Sequence, residues 1–297
     1  MDIAVTGASG LIGTALTRSL TAQGHRVLRL VRKDGGGNDT VRWDPAAGTI
    51  DAAGLEGLDA VVHLAGEGIG EKRWSAEQKE RIRSSRTLGT ALVARTLAGL
   101  KSPPKVLLSG SAIGFYGDTG DRVVDETAPA GKDFLASVCV EWEAAAAPAV
   151  DAGIRTAFLR TGIVLSADGG ALGKVLPIYK LGGGGRSGSG RQWWSWISLD
   201  DQVAATEFLL TADVAGPVNM VAPHPVTNAE YAKALGRAVH RPTTITPMFG
   251  PRLLLGKELA DSLLLTSTRV APAVLEQAGY QFAQPDLDGA LRSLLAA

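Results

Sequence analysis

With 297 residues and 45% hydrophobic content, the chain is long enough to bury a large core, as one large domain or a domain with an appendage. Thirty basic residues balance thirty acidic ones without a lysine–arginine block, so charge offers nothing to a nucleic acid or a membrane surface. One cysteine excludes an intramolecular disulfide, four scattered histidines give no zinc-ligand spacing, and no uncharged apolar run approaches the roughly 18 residues of a membrane span, so a soluble, cytoplasmic protein is expected.

Asp2 to Thr6 reads as a β-branched apolar strand, and Leu11, Ile12, Ala15, Leu16 and Leu20 then recur at helical spacing until Gly24. Between them lies Gly7-Ala8-Ser9-Gly10-Leu11-Ile12-Gly13. Strand, three glycines and helix in this order form a dinucleotide phosphate cradle: a tight turn, a close approach to pyrophosphate, and a helix packed on its sheet with its N-terminus aimed at the phosphates. The second strand, Arg26 to Val31, ends at Arg32-Lys33, where an NAD-binding unit places a carboxylate for the ribose 2′-hydroxyl. Two cations there suit a 2′-phosphate, so NADP(H) is the expected cofactor. The plainer alternative is a glycine turn closing an ordinary βα unit beside a solvated Arg-Lys pair.

Further strand-like runs at Ala60–Leu64, Lys105–Ser109 and Arg155–Arg160 alternate with helices near Ser75–Gly99 and Asp133–Ala152. Such alternation predicts an α/β, doubly wound parallel sheet, a Rossmann fold, with ligands beyond the carboxyl ends of the strands. Gly182 to Gly190 reads as a mobile loop over the site or a plain connector. Trp193 to Ile197 reads as a strand, followed by a helix capped by Asp200-Asp201. The tryptophans stack a substrate or pack a core. Beyond Pro242, prolines punctuate short leucine-rich helices, which predicts an NADP-binding domain with substrate-side insertions over residues 1–241 and a small helical domain over 242–297.

Four motifs carry a family resemblance. The glycine loop, Asp59 to Gly66, Ser109-Gly110-Ser111-Ala112 followed by Tyr116-Gly117, and Trp196 to Asp201 together resemble the extended short-chain dehydrogenase/reductases, the clan of nucleotide-sugar epimerases. Leu64-Ala65-Gly66-Glu67, Arg73-Trp74, Ser85-Arg86, Trp142-Glu143 and Arg269 to Pro272 resemble a narrower branch, the "epimerase family" proteins with an extra C-terminal domain of unknown function, related to human short-chain dehydrogenase family 39U member 1. The resemblance implies fold and cofactor more strongly than reaction.

Clan enzymes use a Ser with a Tyr-x-x-x-Lys pair. Ser111 matches the Ser, but clan spacing brings Leu135 to the Tyr and Cys139 to the Lys position, and the clan asparagine falls on Arg86. The cation near the cofactor must then come from elsewhere, and Arg86 and Arg160 are the candidates; a surface salt bridge is the alternative for Arg160. Leu64, Ala65, Gly66, Ser109 and Gly110, at the ends of two strands, complete the expected cofactor-binding set with the glycine loop, Arg32 and Lys33. Ser111 would hydrogen-bond the substrate oxygen, with Tyr116 or Glu67 moving the proton. Each has a plainer role open to it, a core phenol for Tyr116 and a ribose or Arg86 partner for Glu67. Cys139, on an amphipathic helix without a neighbouring histidine, is expected in the core. Lys174, Arg186 and Arg191 could receive an anionic substrate group or stand solvated.

The expected function is an NADP(H)-dependent oxidoreductase or epimerase-like protein acting on a small polar, possibly sugar-nucleotide-like, substrate. The alternative is a non-catalytic NADP(H)-binding redox sensor. The expected partners are a small-molecule substrate and no nucleic acid or membrane, in a monomer or homodimer.

Overall fold

The computed structural model describes residues 1–33, 37 and 39–296. Its first unit runs strand β1 (Asp2–Thr6), helix α1 (Leu11–Ala22) and strand β2 (Arg26–Val31). There follow β3 (Thr40–Asp44), β4 (Thr49–Ile50), β5 (Ala60–His63), α2 (Ala76–Ala98), β6 (Val106–Ala112), β7 (Val123–Val124), α3 (Phe134–Ala144), α4 (Ala147–Asp151) and β8 (Arg155–Thr161). The sheet order is β8-β6-β5-β1-β2-β3-β4, parallel throughout except for the antiparallel edge strand β4. Chain order reverses on the two sides of β1, which makes its carboxyl end the switch point where such sheets bind ligands.

Both faces of this sheet are covered, which is why its strands are apolar without alternation. Ile3 and Val5 face a core with Leu16 and Leu20 of α1, while Ala4 on the opposite pleat packs with Leu92, Val93 and Leu97 of α2. Ser75 caps α2 by accepting from the Gln78 N–H, and Asp133 caps α3 by accepting from Ala136. The single helix expected over Asp133–Ala152 is two, because Pro148, lacking an N–H, is accommodated only in the first turn of the second helix.

The remaining chain builds β9 (Ile163–Ser166), α5 (Gly170–Lys180), β10 (Gly185–Ser187), β11 (Trp193–Trp194), β12 (Trp196–Ser198), α6 (Leu199–Thr211), β13 (Gly216–Met220), β14 (Val226–Thr227), α7 (Asn228–Ala238) and β15 (Thr244–Thr246). Helices α8 (Phe249–Leu255) and α9 (Lys257–Leu264), strand β16 (Arg269–Val270), and helices α10 (Ala273–Gln277) and α11 (Leu287–Leu295) close it. Strand β13 joins the large sheet outside β8.

Three local expectations are corrected. The strand expected over Trp193–Ile197 is two: β11 pairs with β14 and β12 with β9, so the tryptophans part company and Trp196 is fully buried. The cap of α6 is Ser198, which accepts from the Asp201 N–H. Asp201 instead ties down the C-terminal segment, accepting from the Tyr280 hydroxyl and from the Ala283 and Gln284 N–H groups at 2.8–3.0 Å. The glycine-serine run is pinned, because β10 pairs with β15. A Cβ on Gly184 would lie 2.3 Å from the Tyr179 ring and one on Gly185 2.0 Å from the Thr244 carbonyl oxygen. These glycines serve close packing.

The C-terminal segment shares cores with the rest of the chain. Leu275 and Tyr280 pack with residues of β1, β8 and β13, and Leu287, Ala290 and Leu291 pack with α5 and α7. Among the described residues no helix is long and apolar enough to cross a membrane.

Candidate active site

Three pieces meet at the carboxyl edge of the sheet. The first is the cradle after β1. Gly7 has φ +66°, and a Cβ there would come within 3.0 Å of the Leu64 backbone. A Cβ on Gly13 would lie 2.1 Å from the Gly7 carbonyl oxygen, so both positions exclude side chains for steric reasons. The Gly10 N–H donates to Gly7 O at 2.9 Å, and no side chain caps α1, leaving the N–H groups of its first turn, around Leu11, Ile12 and Gly13, open to an anion. Ser9 and Gly10 are exposed, and Ala8 half-buried.

Behind the cradle, Thr6 Oγ1 accepts from the Leu64 and Ala65 N–H groups at 3.0 and 3.1 Å and lies 2.8 Å from His63 Nδ1. With both lone pairs engaged, the hydroxyl must donate to Nδ1, which fixes His63 as the neutral tautomer with its proton on Nε2. Burial holds the imidazole pKa down at about 4. Arg32 and Lys33 stand exposed just past β2, and neither has a partner among the described residues.

The second piece is a buried polar chain. Ser111 donates to Glu143 Oε1 at 2.6 Å, and Arg160 grips the same carboxylate with Nε and Nη2 at 2.8 and 2.9 Å. Its Nη1 donates to the Tyr116 hydroxyl at 3.0 Å, which donates to Asn219 Oδ1 at 2.7 Å. The guanidinium lies 3.4 Å from the centre of the Phe115 ring. Arg160 is 4% exposed, so neither a cofactor phosphate nor the surface salt bridge weighed for it accounts for its guanidinium: it is an interior ion pair with its donors spent. Tyr116 is equally buried, and burial raises its phenol pKa against the opposing pull of Arg160. Ser111, Tyr116 and Arg160 are therefore one connected unit, and Glu67 is apart from it.

The third piece is a cleft of about 290 Å³. Leu135 and Cys139, at the clan's Tyr and Lys positions, line it together with Ala112, Thr161 and Arg86. Arg86 Nη1 donates to the Glu67 and Ile82 carbonyl oxygens at 2.9 and 3.0 Å, and the guanidinium stacks 4.9 Å from the Trp142 ring centre. Among the described residues, Nε and Nη2 have no hydrogen-bond partner. Burial lowers the Arg86 pKa, though a guanidinium stays charged at any working pH. Burial, with the Glu143 carboxylate nearby, pushes the Cys139 thiol up to about 12, so it is an uncharged wall atom. Glu67 is half-buried and does not line the cleft; its N–H donates to Ser85 and its carboxylate accepts from Gln78 at 3.3 Å. Gly66 lies against Arg86, while Ser109 and Gly110 are buried in β6, where Gly110 makes room for the Trp142 ring. Lys174, Arg186 and Arg191 do not line the cleft. Among the described residues no cluster could hold a metal ion.

Sequence reasoning missed Asn219 and Glu126, which donates no side-chain charge to the cleft but accepts from the Asn219 N–H at 2.9 Å. Glu143, beside Trp142 on α3, carries no local sign of its partners Ser111 and Arg160. Nothing in the local sequence marks them, since their partners lie up to 148 residues away.

A parallel sheet with a glycine cradle at its switch point and a cleft at the ends of β6 and β8 defines a nucleotide-binding α/β protein of the dehydrogenase type. Residues 3–222 match the NAD dependent epimerase/dehydratase family, and the chain belongs to it. Residues 246–294 match a domain of unknown function, DUF1731. An epimerase family protein of Mycobacterium tuberculosis is 45% identical over 282 residues, covering 94% of this chain and 93% of that one. The crystal structure of the human epimerase family protein SDR39U1 (isoform 2) with NADPH superimposes with a TM-score of 0.92 at 35% identity, covering 100% of this chain and 99% of the human one. A nucleoside-diphosphate sugar epimerase from Corynebacterium glutamicum superimposes with a TM-score of 0.82 at 39% identity, over 99% of this chain and 58% of that one.

Proposed function

We propose that the protein binds NADP(H) and acts as an oxidoreductase on a small carbonyl or carbinol compound held in the cleft. The observation that carries this reading is the pairing of a side-chain-free cradle at Gly7 and Gly13 with two exposed cations, Arg32 and Lys33, one strand away and without a partner among the described residues. The NADPH in the human relative's crystal structure supports the same cofactor.

In this reading Arg32 and Lys33 take the 2′-phosphate, the first turn of α1 takes the pyrophosphate, and the Leu64–Gly66 exit of β5 lines the path from β1 to β6. When bound, the nicotinamide exchanges a hydride with the substrate carbon. Arg86, on the cleft wall, supplies there the positive charge that Cys139 lacks, with Nε and Nη2 left for the reacting end. Ser111, buried and donating to Glu143, stands behind Ala112 of the cleft wall and acts as a positioning residue. Tyr116 acts through Arg160 as a positioning residue, because its hydroxyl is sealed inside the protein. Glu67, outside the cleft lining and joined to Arg86 through its backbone carbonyl, is the half-buried carboxylate left to relay protons from water.

Incubation of the protein and a metabolite extract with NADPH deuterated at the transferable C4 position tests the reading by mass spectrometry. Deuterium in a metabolite is the expected result. Tight NADPH binding with no label transferred would favour the second reading, a binding protein without turnover, which the apolar Leu135 and the neutral Cys139 specifically favour.

A further inference from the structure

The cleft is chemically unlike a sugar-nucleotide site. Its walls are the rings of Trp74, Phe134, Trp142, Trp193 and Trp194 with aliphatic side chains such as Leu263. Arg86 is the one cationic side chain lining it among the described residues, against two carboxylates, Asp133 and Glu258. Glu258 is paired outward with Lys79, and Asp133 is spent as the α3 cap, so neither position offers a donor to a phosphate. The cations stacked on the wall rings, Lys79 and Arg83 over Phe134 and Arg269 over Trp193, are engaged with Glu258, Glu141 and the Asp121 carbonyl oxygen, so a diphosphate entering here would lose its hydration with one guanidinium of the lining to replace it. The volume, about 290 Å³, is at the low end for ligand pockets, which run about 300–1,000 Å³, and suits one or two rings.

The proton inventory narrows the choice further. Reducing an isolated ketone creates a strongly basic alkoxide, which needs a positioned acid. Here the acid positions are occupied by Leu135 and a thiol held at about 12, and the one nearby phenol is sealed behind Arg160. A conjugated acceptor has no such need, because its oxyanion is delocalised and weakly basic. Arg86 Nε and Nη2, without a hydrogen-bond partner among the described residues, supply the positive field that such an anion requires.

The geometry points to a planar, uncharged, conjugated carbonyl compound of the quinone type as the substrate, in place of the polar, sugar-nucleotide-like molecule expected from resemblance; we rest this on the NADP(H) reading above. The step balances as follows: a hydride carrying two electrons passes from NADPH to the quinone, leaving NADP⁺ and a phenolate, and a proton from water completes the hydroquinone.

The test uses the full chain in two stages. NADPH titration alone, followed by its fluorescence, tests the cofactor reading; no binding there overturns that reading and this one with it. With NADP⁺ bound, so that nothing can react, 1,4-naphthoquinone is then titrated while tryptophan emission is read, with UDP-glucose as competitor. Saturable quenching unaffected by UDP-glucose, weakened roughly tenfold in Leu263→Glu with NADPH affinity retained, is the expected result. With NADPH, naphthoquinone should be reduced faster than in protein-free controls, at a rate nearly flat between pH 6 and 8. Protein that binds NADPH yet binds UDP-glucose and not naphthoquinone would overturn the substrate class alone. Equal quinone affinity in Leu263→Glu and in a second variant, Phe134→Ala, would overturn the cleft as its site.

Discussion

Acidification should destabilise the protein through His63, and the size of the effect follows from its place behind the cradle. The ring is wholly buried, accepts from Thr6, and has a pKa near 4 against an ordinary value of 6.5. Between those values the unfolded chain binds a proton that the folded chain refuses. Stability is therefore complete above pH 6.5 and falls as pH drops through that window, by about 3 kcal/mol in all. Protonation at Nδ1 would also turn an acceptor into a donor facing the Thr6 hydroxyl, disturbing the Leu64 and Ala65 N–H bonds that shape the cradle wall. Urea unfolding at steps from pH 7.5 to 4.5, in wild type and His63→Gln, reads the effect. Glu126, whose carboxyl is raised by burial, titrates in both proteins, so the difference between the curves isolates the histidine. Parallel stability curves for the two proteins would refute the reasoning.

Glu143→Gln should cost about 3–5 kcal/mol in urea unfolding, because it leaves the Arg160 charge buried without its bidentate partner; a loss below about 1 kcal/mol would mean that water reaches the pair. Gly13→Ala, whose new Cβ meets the Gly7 carbonyl, should destabilise by about 1–3 kcal/mol and abolish NADPH fluorescence enhancement. Gly10→Ala, with its nearest contact at 3.3 Å, should retain the fold. Cys139 should resist iodoacetamide at pH 8 in the native protein and react once urea exposes it, since a thiol held at about 12 has almost no thiolate at that pH.

The strand–glycine–helix unit was legible in the sequence because its determinants are local: a turn needing positive φ at Gly7 and a helix pressed on its strand at Gly13 are written within seven residues. That the sheet is parallel and covered on both faces followed from the strand–helix alternation, whereas the order of its strands did not. Tertiary partners were not legible. Arg160 carries the same letters whether it meets a phosphate or Glu143, and only the packing of α3 against β8 decides between them. The glycine-serine run is flexible by composition, yet strand β15, more than fifty residues later, pins it. Trp193 and Trp194 reach the cleft while Trp196 enters the core because the chain changes pairing partner between them.

The most direct test of the cofactor assignment is calorimetric titration of wild type and Arg32→Ala with NADPH and with NADH. Loss of the 2′-phosphate contact should weaken NADPH binding about ten- to hundredfold and leave NADH binding nearly unchanged. Equal losses for the two nucleotides, or wild-type protein that prefers NADH, would contradict the assignment of Arg32 to the 2′-phosphate and of NADP(H) to this chain.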